Sequence, residues 1–164
     1  IYAPLVNYAD HTFGVCQKML EDKNAIMGLG DGGAHVGFIL DAGYPTWLIS
    51  YWSVKKKVFS MEETIRRLTS DTANAAGLSD RGVLKIGLKA DVNIIDWKNV
   101  GSSDPFMTQD LPAGGKRLMQ TTQGYVATIV SGKITYQNGV STKERPGGLV
   151  RSVKDSQKIF AYTS

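Results

Sequence analysis

Gly28-Leu29-Gly30-Asp31-Gly32-Gly33-Ala34-His35-Val36-Gly37 sets one carboxylate, Asp31, in a glycine-rich turn directly after the apolar run Ala25, Ile26, Met27 and Leu29. The apolar run predicts a short buried strand, and the glycines allow positive φ and close approach of a ligand. Two functional readings compete. Gly28, Gly30 and Gly33 spell G-x-G-x-x-G, the dinucleotide fingerprint, which needs a strand before it and a helix after it. Against that, Asp31 would point its charge at a pyrophosphate. The chain also meets Gly43, Tyr44 and Pro45 before a long helix can form, and lacks the ribose-binding acid about 20 residues on. The other reading is a catalytic or metal-linked aspartate at the carboxyl end of a strand. A bland alternative, Asp31 as a turn-stabilising residue, stands beside both, because Asp is common in turns.

The chain has 164 residues, 42% of them hydrophobic, enough for one core or two small ones. It holds no run of about 18 apolar residues and no basic-apolar-small leader at its start, so the expectation is a cytoplasmic protein without a membrane role. The net charge of +4 is mild. Its strongest cluster, Lys55 to Lys57, lacks the interleaved aromatics of a strand-binding platform and reads as a solvated loop, so no nucleic-acid partner is expected. Cys16 is the single cysteine; between Val15 and Met19 it reads as core filler. The start at Ile1 hints at a fragment or a processed product.

Asp10 or Thr12 is placed to cap a helix carrying Phe13, Cys16, Gln17 and Leu20 on one face. Residues 38 to 59 are rich in aromatics with little clean periodicity, able either to wall a pocket or simply to pack. A helix is predicted from Met61 to Ala76: Ser60 with Glu63 makes a capping box, and Gly77 supplies the stop. Its buried stripe would be Ile65, Leu68, Thr72, Ala75 and Ala76. Beyond Ser79 the period changes to two, predicting strands at Val83 to Ile86, Val92 to Ile95, Tyr125 to Val130 and Ile134 to Tyr136, with a hairpin turn at Ser131-Gly132. Residues 99 to 118 read as a long loop or lid. Asp91 and Asp96 read as structural residues at strand ends, Asp41 as a turn or cap residue. The tail after Pro146 should drape over the surface.

The glycine turn, the capped helix, TSDTANAAGLSDRGVLKIGLKADVNIID and VSGKITYQNGVSTKERPGGLVR follow one another in an order that resembles the C-terminal part of an amidohydrolase-superfamily enzyme, in particular an N-acyl-D-amino-acid deacylase. The resemblance runs from about Asn7 to Arg151 and is specific in Asp31, in Leu78 to Gly82 and in the Gly87, Ala90, Asp91, Asp96 pattern. It implies an α/β plus all-β fold class: the last β/α units of a metal-dependent (β/α)8 hydrolase barrel over residues 1–79, followed by part of a small β-sandwich over 80–164. Asp31 would end the eighth strand beside a zinc site, take the proton of the metal-bound water that attacks the amide carbonyl, and pass it to the leaving nitrogen.

Departures from the family pattern narrow this reading. The family needs an H-x-H pair after its first strand and further ligands from later strands, whereas this chain has only His11 and His35, neither at a ligand position. Zinc is therefore expected only for the complete enzyme, with Asp31 as one possible ligand and the others outside this chain; one carboxylate alone is a poor zinc site. His35 is a candidate to contact substrate or orient Asp31, or else a loop histidine bonded to backbone. Where related sequences carry a basic pair after the tryptophan, this one has Ser53, Val54 and Lys55. The expected partners are a small-molecule amide and the missing N-terminal part of the enzyme or a second chain, and the isolated chain is expected to be inactive and prone to association. The alternatives are a cyclic-amidase type of amidohydrolase and a non-catalytic binding or structural domain on the same fold. An upstream H-x-H would favour the enzyme, a stop codon directly before Ile1 the domain.

Overall fold

A computed structural model of the chain describes residues 11–28 and 30–151. Helices, interrupted by one short strand, make up the first half, and strands the second. The first helix, α1 (Gly14–Glu21), starts after Phe13, and the Thr12 hydroxyl accepts a bond from the Gly14 N–H rather than capping from the N-cap position. Asp10, the other cap candidate, lies outside the described residues. Phe13, Cys16 and Leu20 do share the inward face, packing against the buried cluster of Leu48, Trp52 and Phe59, so Cys16 fills core as expected.

The stretch from 25 to 28 forms no strand, and Ile26 is 54% exposed. Leu29 falls outside the described residues. The strand lies instead within the glycine run itself, as β1 (Gly32–His35), so Asp31 precedes a strand rather than ending one. The dinucleotide reading fails on the same fact, because the fingerprint needs its strand before the glycines and a helix directly after them.

The aromatic segment resolves into a short helix, α2 (Tyr44–Trp47), running into a π-helical stretch, Leu48–Lys55. Such wider turns are rare; here Lys56 N–H reaches back five residues to the Tyr51 carbonyl at 2.8 Å. Leu48, Ile49 and Trp52 are buried on one side while Lys55, Lys56 and Lys57 stay exposed, so the lysines are the solvated end of a helical element. The Trp47 and Tyr51 rings stack at 4.7 Å, and Phe13 meets both edge-on. Packing thus claims most of these aromatics, although Tyr51 and Trp52 also line a cavity of about 220 Å³ with Thr12, Phe13, Gln17 and Lys56.

The predicted long helix begins where expected, with the Ser60 hydroxyl accepting the Glu63 N–H at 3.1 Å, but it breaks in two. Thr69, at φ −126° and ψ −84°, separates α3 (Met61–Leu68) from α4 (Ser70–Ala75). The run Thr69 to Thr72 supplies the reason: Thr69 Oγ1 donates to Ile65 O at 2.6 Å and Thr72 Oγ1 to Thr69 O at 3.0 Å, and such back-bonding competes with the helical ladder and bends it. Arg66 then bridges the break, bonding Glu63 on one side and Asp71 on the other. Thr64 in α3 and Ala73 in α4 are the fully buried positions, while Ala75 and Ala76, past the break, are exposed. Arg67 ties α3 to the end of α1 through the Leu20 carbonyl at 2.8 Å.

Residues 83 to 86 form no strand; Leu84 and Ile86 stand 84% and 102% exposed. The remaining predicted strands appear as β2 (Val92–Ile95), β7 (Tyr125–Val130) and β8 (Lys133–Gln137), which with β9 (Val140–Ser141) make an antiparallel sheet in the order β2-β7-β8-β9. Ser131 and Gly132, at φ 50° and 78°, form the predicted hairpin turn with the twist that suits antiparallel strands. The expected lid over 99 to 118 is a structured pair of elements: β3 (Gly101–Ser102), which pairs with β6 (Thr122–Gln123), and a hairpin of β4 (Phe106–Leu111) with β5 (Gly115–Met119). An Arg117–Asp110 ion pair of 2.6 Å crosses that hairpin. All these pairings are antiparallel.

Candidate functional site

The glycine turn sits where the helical and strand elements meet. Leu118 N–H on β5 donates to the Val36 carbonyl at 2.7 Å, and the Thr46 and Tyr125 hydroxyls share a bond of 2.8 Å. Within the turn, the Asp31 carbonyl accepts the Ala34 N–H at 3.0 Å and its own N–H donates to Asp41 Oδ2 at 2.7 Å. Both peptide groups of Asp31 are thereby held. Its side chain is exposed and makes no hydrogen bond or ion pair with any described residue. A carboxylate presented in this way can accept or release a proton without first breaking an internal bond.

Close approach, rather than unusual backbone angles, is what Gly30 and Gly32 provide. A Cβ at Gly30 would lie 2.8 Å from the Asp41 carbonyl oxygen and 2.9 Å from its Cγ, and one at Gly32 would lie 2.7 Å from the Ala42 Cβ. The glycines that first suggested room for a ligand thus make room for Asp41 and Ala42. Asp41 is a turn residue, as expected, its carbonyl accepting the Tyr44 N–H, but its carboxylate caps no helix and instead accepts the Asp31 N–H, a contact the sequence does not show. The only signal would have been the need of two nearby glycines for something to pack against.

His35 closes β1 at φ 44°, a conformation His tolerates better than most side chains. It is exposed, its ring stacks on Phe38 at 5.2 Å, and its carbonyl accepts the Phe38 and Ile39 N–H groups. No hydrogen bond among the described residues joins it to Asp31. Asp91 and Asp96 have structural partners: Asp91 accepts Ser131 N–H and pairs with Arg81, and Asp96 accepts from Lys98 N–H and Asn99, the latter bond lowering its pKa first.

Zinc does not fit the described residues by themselves. Among them no three His, Cys, Asp or Glu side chains come together as a metal site, and Asp31 has no second ligand. No chemical step is assigned to a metal on this basis.

A sequence model of the amidohydrolase family matches residues 8–136, and the chain belongs to that family. That family belongs to a superfamily built on TIM barrels. It is 34% identical over 96 residues to a dihydroorotase of Lactobacillus acidophilus, covering 52% of this chain and 20% of that protein. It is 39% identical over 89 residues to a dihydroorotase of Bacillus cereus, at 51% and 20% coverage. With an N-acyl-D-aspartate deacylase of Alcaligenes xylosoxydans it shares 29% identity over 93 residues, 57% of this chain and 17% of that protein. The chain thus spans about one fifth of the length of these curated relatives. No solved structure gives a significant match. No helix among the described residues is long and apolar enough to cross a membrane.

Proposed function

We propose that this chain is the C-terminal part of a hydrolase of non-peptide C–N bonds that deacylates N-acyl-D-amino acids, with Asp31 as its proton carrier. Residues 1–79 contribute the last β/α units of the barrel and residues 80–164 part of the β-sandwich. The observation that carries the reading is the exposed Asp31 carboxylate on a peptide fixed at both ends. In the reaction Asp31 takes the proton released as water adds to the amide carbonyl, then delivers it to the departing nitrogen, so its charge is restored each cycle. His35, four residues on, is assigned to substrate contact. The zinc dependence implied by the family resemblance belongs to the whole protein and needs ligands from outside the described residues, as do the remaining pocket walls, whether from the rest of the enzyme or from a second chain.

A second reading, a cyclic-amidase type of amidohydrolase, is favoured by the higher identities to the dihydroorotases. Assaying the full-length protein on N-acyl-D-amino acids and on cyclic amides separates the two. In either case Asp31→Asn should lower kcat by about 10³-fold, within the usual range for loss of a general acid–base, with KM little changed. A variant retaining kcat within threefold would refute the assignment. The isolated 164-residue chain should be inactive; stoichiometric zinc with measurable amidase activity in it would refute that expectation.

A further inference from the structure

We infer that Asp41 is a positioning residue for the reaction, holding the Asp31 peptide so that the Asp31 carboxylate keeps one orientation; this rests on the reading of Asp31 as the proton carrier. Three observations meet on it. The bond from Asp31 N–H to Asp41 Oδ2 is 2.7 Å, short for an N–H donor and of the stronger, charge-assisted kind. Asp41 spends its carboxylate on nothing else: Oδ1 is enclosed and has no donor among the described residues, and α2 takes no side-chain cap. Finally, Asp41 is itself anchored. Its carbonyl accepts the Tyr44 N–H at the start of α2, which carries Thr46 into the interior and runs on into the π-helical stretch that buries Leu48 and Ile49.

The consequence is mechanical. β1 is exposed along its whole length, and no described residue of the glycine turn is fully buried, so their order comes from what they rest on. Asp41 transfers the rigidity of the buried helix to the peptide of Asp31. Gly30 is the matching piece, since any Cβ there would push against the Asp41 carbonyl and Cγ. A misplacement of about 1 Å can cost 10²-fold in rate without loss of binding.

The experiment compares Asp41→Ala, Asp41→Asn and Gly30→Ala in the full-length protein, on whichever amide it turns over fastest, with Asp31→Asn alongside and melting temperatures recorded. Asp41→Ala should lower kcat about 10- to 100-fold with KM within threefold. Asp41→Asn should recover kcat to within a few-fold of wild type, because its amide oxygen accepts the same N–H. Gly30→Ala pushes directly on the Asp41 carbonyl and Cγ, so it should show the kcat loss together with a modest fall in melting temperature, with kcat read well below that melting point, and it decides the matter if Asp41→Ala does not fold. Full kcat in Gly30→Ala, or Asp41→Asn impaired as badly as Asp41→Ala, overturns the inference. If Asp31→Asn is inactive while Asp41→Ala is normal, only the positioning role falls; an active Asp31→Asn removes the role of Asp31 and this inference with it.

Discussion

The helical segment from Gly14 to Ala75 and the strand segment from Val92 to Ser141 remove apolar surface from water to very different extents. In the first, Leu48, Ile49 and Trp52 are 1–2% exposed, and seven partly buried side chains pack around the Leu48, Trp52 and Phe59 cluster. In the second, Val100 and Ala127 are buried, but Ile94, Met107, Val126 and Ile134 remain 42–53% exposed. A helix can bury its stripe against a neighbouring helix, whereas an antiparallel sheet needs a second layer over at least one face. The helical segment gathers a buried cluster, although Phe38 and Ile26 within it stay 69% and 54% exposed, whereas the strand segment buries few apolar side chains. The strand segment is therefore held chiefly by ladder bonds, turns and ion pairs, and the helical segment by packing. That difference explains why Asp31, on an exposed turn, is anchored to the helical side through Asp41.

The comparison breaks most readily at Trp52. Trp52→Ala should cost about 3–5 kcal/mol, read as a shift in the urea midpoint, while Ile134→Ala on the sheet should cost under about 1 kcal/mol. Equal losses would mean that both segments rest on packing. Gly124, at φ 83°, tests the other half, because a Cβ there would lie 2.6 Å from Val100 Cα. Gly124→Ala should cost upward of about 1 kcal/mol in the same denaturation experiment; a neutral result would show that turn geometry matters little to the sheet. Ser60→Ala removes the cap of α3 and should cost about 1 kcal/mol.

The smallest expected effect is that of pH. The Glu63 carboxyl is held below its usual range by hydrogen bonds from Arg66 and then Arg67, and that of Asp110 by Arg117. A carboxyl lowered on folding stabilises above its unfolded pKa of about 4, and the contribution is lost as pH falls through the lower folded value. Denaturation midpoints between pH 5 and 2 should therefore fall less steeply in Glu63→Gln, on the helical side, and in Asp110→Asn, on the sheet. Slopes unchanged from wild type would show that neither ion pair contributes.

Local chemistry was legible where it acts alone. Ser60 with Glu63 fixes a helix start, and Ser131-Gly132 fixes a turn between two alternating runs, because each needs only neighbouring residues. The β4–β5 hairpin was missed because Phe106 and Met107 are adjacent apolar residues followed by Pro112, which breaks the expected alternation. Asn138-Gly139, at φ 49° and 79°, carried a readable hairpin signal between β8 and β9. Apolarity misled at Ile26 and at Val83 to Ile86, since it signals burial only where something is available to cover it.

By itself the sequence determined the family, through its order of motifs, and singled out Asp31 as the carboxylate to watch. It also determined the residue types that cap, turn and pair. Tertiary structure alone decided that the glycine run is itself a strand, that the helix after Ser60 bends at Thr69, and that Asp41 lies under Asp31. Those outcomes depend on competition between distant groups for the same carbonyls and the same space: hydroxyls against a helical ladder at Thr69, and a carboxylate against two absent Cβ atoms at Gly30 and Gly32. No local pattern records which competitor arrives.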